Sequence, residues 1–538
     1  LCGLETDRLG VEMSAEGRSE LPLVTSPVVT ADGDGEVRWA KVIDQTRCIG
    51  CHACTTACKS ENEVPLGVTR TYVKNVDVGV FPEARRNYQV TRCNQCADAP
   101  CVAACPTGAM FTRDDGIVDF DKQACIGCKA CIAACPYDAI FINPEDHSAE
   151  KCNFCAHRID MGLEPACVVV CPVEAILVGD LNDPDSKVAH HVNRDPVQVR
   201  RPEKDTRPKL YYRGAHQSTL DPIAATRPEG DVFAWAQQPP SDSHHINSGA
   251  PAGYGNTSAA AMLSYDIAHD VPWDWRVGLY TWTKSIAAGL YLVIAGLVLA
   301  GLAETGSNLW RWTAPVGALG FLAATGAILI WDLEHPTRFY YIFTRPQWRS
   351  WLVRGGVIIA GYGAVLSLHV LASLVGAAGF QQWLMIAGIP LATLTAVYTA
   401  FLFAQAKARD LWQNPLLPPH FAVQAGLAGS AVLLLFATWL DPTVTDALVW
   451  VLVGTAVAHV LMVLGEVTLP HGTAHARLAT HELTTGRFAG PFAAAMALSL
   501  VAVALAFLLP ALAGAVALAG LLAYEHAYVQ AGQSVPLA

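Results

Sequence analysis

The chain has 538 residues, enough for two or three domains, and only 15% of them are charged against 52% hydrophobic. A net charge of −11 leaves no basic face for a nucleic acid and argues against that class of partner. Seventeen cysteines, nearly all in tight runs, point to metal loading and against an oxidised disulfide framework.

Residues 1–36 form a polar arm rich in Gly, Ser and Pro, with no twin-arginine signal and no apolar secretory stretch. Because the chain opens on Leu1, a processed leader stays open as an expectation. Cys2 reads as an ordinary thiol. Val37 to Asp44 alternates in polarity and predicts a strand leading into the first cysteine run.

Four cysteine quartets follow within 37–180. They are Cys48, Cys51, Cys54, Cys58; Cys93, Cys96, Cys101, Cys105; Cys125, Cys128, Cys131, Cys135; and Cys152, Cys155, Cys167, Cys171. The third reads CIGCKACIAACP, the run by which bacterial ferredoxins hold a cubane 4Fe–4S cluster. A cubane offers four irons at tetrahedral corners, each needing one thiolate. A short loop wraps three corners with cysteines at i, i+3 and i+6, and the fourth cysteine points away to a neighbouring cluster. A proline follows Cys105, Cys135 and Cys171, whereas Lys59 follows Cys58. Zinc ribbons do not need four cysteines in such tight runs, so zinc is the weaker reading. Sixteen ligands suit four cubanes. Cross-ligation predicts Cys93, Cys96 and Cys101 with Cys135, and Cys125, Cys128 and Cys131 with Cys105. Between these runs, Gly108 to Asp121 predicts a hairpin turning at Asp114-Asp115-Gly116. Short strands and helices around the clusters imply a ferredoxin-like unit that occurs twice.

From Val37 to Gly179 the chain resembles the four-cluster electron-transfer subunit of the dimethyl sulfoxide, polysulfide and formate oxidoreductases. That resemblance, and not spacing, implies the outer pairing: Cys48, Cys51 and Cys54 with Cys171, and Cys152, Cys155 and Cys167 with Cys58. No ligand position departs from the family pattern.

Residues 181–272 are rich in Pro, Arg, Asp and Gln and poor in periodic apolar residues. Lys187 to Gly214 is expected to lie as an extended strap on the cluster domain or a partner, the remainder bridging to the membrane. The His244–His245 pair reads as a solvated loop in preference to a metal site.

Residues 273–538 read as a membrane domain. Apolar segments of spanning length occur at Gly278–Ala303, Thr313–Trp331, Trp351–Ala378, Gln382–Ala404, His420–Leu440, Val444–Gly465, Pro491–Leu509 and Ala511–Tyr528. Tryptophans cluster at their ends, as an interfacial belt requires. Eight spans, or seven if Pro510 divides only one, would follow the cluster domain. The expected fold is therefore an α+β ferredoxin-like iron–sulfur domain of two dicluster units joined to an all-α bundle of about eight transmembrane helices. With eight spans, the loops on the cluster side carry Arg338, Arg345, Arg349, Lys407, Arg409, Arg477 and Arg487 against Arg311 opposite. The positive-inside rule then sets the cluster domain in the cytoplasm, with a periplasmic placement open if these arginines dock the domain instead.

Ionisable residues in or beside spans are functional candidates by default. They are Lys284, Asp332, Glu334, His335, Arg338, His369, His459 and Glu466. Lys284 is expected to pair with Asp332 or Glu466; His471, His475 and His481 read as loop residues. The segments WDLEHPTRFYYIFTRPQWRSWLVRGG, YTAFLFAQAKARDLWQNPLLP and YEHAYVQAGQSVP are similar to the NrfD, polysulfide-reductase-type membrane anchor. That resemblance implies a haem-free bundle that binds quinone (menaquinone or ubiquinone), with Trp273, Lys284, Asp332, His335 and Arg338 as quinone contacts. Lys284, Asp332 and Glu466 would handle protons.

Together these features predict a subunit of the bacterial inner membrane that passes electrons between a catalytic partner and the quinone pool. No nucleotide-binding glycine loop or pterin-sized domain is present, so substrate chemistry lies elsewhere, by resemblance in a molybdopterin subunit and alternatively in a multihaem cytochrome c. The rival readings are a haem-b anchor using His369, His459 and His526, a passive wire without its own quinone, and a proton pump along Lys284–Asp332–Glu466.

Overall fold

The computed structural model describes residues 37–79, 82–226, 261–440 and 442–538, with backbone alone at 437–440. Cys2, the polar arm and the His244–His245 pair lie outside the described residues.

The predicted first strand is β1 (Trp39–Asp44), buried along nearly its whole length because both of its edges are paired. The chain then forms β2 (Thr71–Val78) and β3 (Arg85–Arg92), an antiparallel pair in which Thr71 faces Arg92. The expected hairpin is β4 (Met110–Thr112) with β5 (Val118–Phe120), and a matching one is β6 (Ile140–Ile142) with β7 (Ala149–Lys151). These two small hairpins are the internal repeat seen in the cysteine spacing. β8 (Ile176–Asp180) runs antiparallel to β1.

The segment expected to be a loose strap is more ordered than its composition suggests. It contains a helix, Lys187–Arg194, started by Ser186, whose hydroxyl accepts from the Ala189 N–H. It then supplies β9 (Val197–Gln198) and β10 (Leu210–Arg213), and β10 lies parallel to β1. Further on, β11 (Ala261–Tyr265) adds to β2. Parts of 181–272 are therefore sheet of the cluster domain. Alternating apolar residues are too few to show this, because each added strand covers an edge and not a face.

Seven helices among the described residues are long and apolar enough to cross a membrane, and an eighth crossing results if the bent pair Ala474–Thr484 and Ala489–Leu505, angled at 68°, is one span. The contacts favour eight crossings. Trp273 before the first span, the loop after the second, Asp410 after the fourth, Thr473 after the sixth and Gln533 in the last all meet one another or the cluster domain. The second span opens with a wide π-type stretch, Leu309–Gly317, around Pro315, which lacks the N–H a regular helix needs. The first and fifth spans cross at Gly289 and Gly429, where a Cβ on Gly289 would lie 2.8 Å from the Gly429 nitrogen. Close approach of backbones through small residues is the usual means of helix association in lipid.

Candidate functional site

The cysteines do not gather by quartet. Cys93, Cys96, Cys101 and Cys135 line one cavity of about 300 Å³, and Cys105, Cys125, Cys128 and Cys131 line another of about 360 Å³. Electrostatic neighbours place Cys171 with Cys48 and Cys54, and Cys58 with Cys152, Cys155 and Cys167. Each set thus takes three thiols from one loop and the fourth from another, as the crossed arrangement requires. Among the described residues no three His, Cys, Asp or Glu side chains converge on a point suited to a single ion. The thiols instead surround a volume, which suits a cluster and not zinc.

The surroundings of the sulfurs support that fit. Backbone N–H groups donate to Cys93 Sγ from Gln95 (3.5 Å), to Cys105 Sγ from Met110 (3.4 Å), to Cys125 Sγ from Gly127 (3.4 Å) and to Cys171 Sγ from Ala175 (3.2 Å). The loops achieve this with left-handed residues, including Gln95, Gly127, Lys129 and Cys155. Burial pushes most of the thiols up, Cys54 to about 11 and Cys58, Cys96 and Cys135 to about 12. Cys167 differs: burial raises it, but Arg92 and Lys41 outweigh burial and bring it to about 7.

The four sets stand in line. Cys54 neighbours Cys167, Cys152 neighbours Cys93, and Cys101 neighbours Cys131. The line ends against the helices, where Trp273 Nε1 donates to the Cys128 carbonyl at 3.4 Å. Trp273 stacks on Trp412 (5.3 Å) and packs on Phe403 (5.9 Å), which in turn meets Phe421 (6.3 Å).

The loop after the second span holds the cluster domain from below. Arg338 donates to the carbonyls of Lys122 (3.0 Å) and Cys125 (2.9 Å), and the His335 N–H donates to Ile126 O at 3.2 Å. Glu334 pairs with Lys129 at 2.7 Å. Asp332 lies 3.2 Å from Arg276. Burial raises the Asp332 carboxyl to about 6, against the pull of Arg276 and Lys129. Ser350 and Gln347 reach the carbonyls of Ala104 and Val102. The Asp332–His335–Arg338 motif lies in a loop that clamps the third cysteine run, through Arg338 and the His335 backbone.

Deeper in the bundle, Lys284 is fully buried and donates to Ala396 O (2.7 Å) and Thr399 Oγ1 (2.8 Å), with its Nζ 4.4 Å above the Phe421 ring. The carboxylate facing it is Glu525, which neither Asp332 nor Glu466 replaces. The expected Lys284–Asp332–Glu466 path is not assembled, because Asp332 sits at the clamp beside Arg276. Glu466 instead joins His420 (3.0 Å) and Tyr524 (2.8 Å), and His420 bonds His459 at 2.8 Å. Glu525 also feels the charges of His420 and Glu466, so the two buried polar clusters are neighbours. Glu466 borders a cleft of about 1420 Å³, also lined by Lys204, Asp410, His471 and Thr473. Glu525, His420 and Tyr524 are not singled out by the sequence, although an acid inside the last apolar segment carries the signal. As for the haem candidates, His369 packs between Trp310 and Tyr291, and His459 is taken up by His420.

Comparison with known proteins agrees with this geometry. Residues 265–533 match the family described as polysulphide reductase, NrfD, half of the chain. The chain belongs to the NrfD family. Ahead of the NrfD half, residues 84–181 match a 4Fe-4S dicluster domain and 39–60 a 4Fe-4S binding domain. The B subunit of tetrathionate reductase from Salmonella typhimurium is 42% identical over 191 residues, 34% of this chain and 75% of the relative. The NrfC homolog of Haemophilus influenzae is 44% identical over 182 residues, 33% of this chain and 81% of its own. The B component of polysulfide reductase from Wolinella succinogenes is 41% identical over 177 residues, 32% of this chain and 93% of the relative. This chain is thus an iron–sulfur electron-transfer protein fused to an integral membrane anchor of the NrfD type.

Proposed function

We propose that the chain carries electrons through four 4Fe–4S clusters between a soluble molybdopterin-type catalytic subunit and quinone at the head of the NrfD half. The observation that supports this most is the line of four thiol sets ending at Trp273, which bridges the Cys128 loop and the helices. When bound, the clusters supply one-electron transfer without protons. Quinone takes two electrons and two protons, so the protein must bring protons to it. Trp273, Phe403, Phe421 and Lys284 would border the quinone, and Lys284 with Glu525 would exchange protons with it. Glu466, His420 and the cleft would connect that pair to water.

At the far end of the line Cys51 is exposed, between the exposed Ile49 and the Val169–Val170 pair that precedes Cys171. This apolar rim beside the first thiol set is the face proposed for the catalytic subunit. The tetrathionate and polysulfide relatives named above are parts of reductases, which supports such a partner. We place the protein in the bacterial inner membrane. Arg338 is occupied in docking and Arg409 in holding the end of the last helix, and the remaining cations Arg345, Arg349, Lys407, Arg477 and Arg487 favour a cytoplasmic cluster domain.

The test is reduction of the clusters by menadiol in the purified detergent-solubilised protein, followed by paramagnetic resonance. Menadiol should reduce the clusters of the natural protein. Lys284→Met should retain its iron and its reduction by dithionite while losing reduction by menadiol. Reduction by dithionite alone in the natural protein would make it a passive wire.

A further inference from the structure

Arg92 is the last residue of β3 and adjoins Cys93, yet its guanidinium serves a different thiol set. Nη1 donates to Cys167 Sγ at 2.9 Å, and its charge also reaches Cys54 and Cys152. The side chain is 2% exposed, and its Nε and Nη2 have no hydrogen-bond partner. Lys41 on β1, equally buried, brings Nζ to 3.8 Å from the same sulfur and 4.0 Å above the Phe154 ring.

Another buried arginine of this domain shows what is unusual here. Arg70 is neutralised by Glu150 at 2.9 Å, a carboxylate that also accepts from Asn143. No carboxylate within ion-pair distance of Arg92 or Lys41 is found among the described residues. A buried, unpaired cation costs several kcal/mol, so a counter-charge must offset it, and the sulfur of Cys167 is the partner both cations share. A guanidinium keeps its proton at any working pH, so this charge is permanent.

One-electron reduction adds one negative charge to a cluster, takes up no proton and breaks no bond. A fixed cation in a low-dielectric setting stabilises the more negative, reduced form. We infer that Arg92, helped by Lys41, holds up the reduction potential of the cluster bound by Cys58, Cys152, Cys155 and Cys167, making it an electron-holding site next to the exposed end of the wire. This rests on the four-cluster reading. Arg92 is a positioning residue in that role: it meets the ligand sulfur and no substrate.

The experiment is a redox titration of the full-length protein followed by paramagnetic resonance, with iron counted in the same samples. In Arg92→Gln one of the four midpoints should fall so that the reduced-to-oxidised ratio at fixed potential drops at least tenfold, about 59 mV for one electron. Arg92→Lys should give a smaller drop in the same signal, and Lys41→Gln should move that signal again. The midpoint of the cluster bound by Cys48, Cys51, Cys54 and Cys171 should move less, and the other two not at all. Unchanged midpoints with full iron content would overturn the inference. If Arg92→Gln loses iron, Arg92→Lys, which keeps both cations, and Lys41→Gln, which keeps one, decide in the same way. A natural protein with fewer than four clusters would instead overturn the underlying reading.

Discussion

Asp332 shows how one side chain can change meaning between sequence and structure. As an acid beside a span it reads as a proton carrier; in the fold it is caught between Arg276 and the cluster loop. Its carboxyl sits near 6 in the folded chain against an ordinary 3.8. A raised acid disfavours its own charged form, so folded stability falls as pH rises from about 4 to about 6 and stays reduced above that. Asp332→Asn never carries the charge, and Arg276 keeps Asp274 as a partner. The variant should therefore be more stable than the natural protein at pH 8 by on the order of 1–3 kcal/mol, and the difference should vanish near pH 4. Thermal melts of the two proteins across that range would show it; a difference independent of pH would remove the burial argument. The cysteines, by contrast, keep the meaning they have in the sequence. Their chemistry is carried by spacing within one loop, which folding does not rearrange, and only the fourth ligand of each set depends on the tertiary fold.

At the level of loops and helices, the junction between the two halves is made by close contact at a glycine. Gly127 has φ +70°, and a Cβ there would lie 3.0 Å from the backbone nitrogen of Glu334. Gly127→Ala should strain the turn and push the clamp away, destabilising the junction by about 1–3 kcal/mol. Reduction by menadiol should slow while reduction by dithionite stays complete; equal slowing of both would instead mean a damaged cluster. Much of this layer is open to sequence reasoning. The eight apolar segments coincide with the helices to within a few residues, because lipid tolerates so few alternatives. The strands β9, β10 and β11 are hidden for the opposite reason. They are short, and they exist through backbone pairing with β1, with β2 and, for β9, with β10, which no local pattern announces. His420 and Glu525 are hidden by length: each lies in an apolar segment whose overall composition draws the attention.

Over the whole molecule, the proposed electron and proton routes approach the same place from different directions. The thiol sets end at Trp273, and the Glu466–His420–His459 cluster meets the cleft at Glu466. On the proposed function, separate entry would let a carrier of electrons alone and a carrier of protons alone meet at one quinone. Glu466→Gln should leave iron content and dithionite reduction intact but slow steady quinol oxidation about 100-fold. Quinol oxidation at the natural rate would detach the cleft from the proton supply.

The exchange of fourth cysteines between loops also bears on how the protein is made. The loop with Cys48, Cys51 and Cys54 leaves the ribosome early, yet its set is completed by Cys171, after every other run has emerged. The head cannot be loaded in instalments from its beginning: its earliest site is the last to close. On the four-cluster proposal, delivery to the two outer sets must therefore wait for the fourth run, whereas the inner two are complete at Cys131 and Cys135.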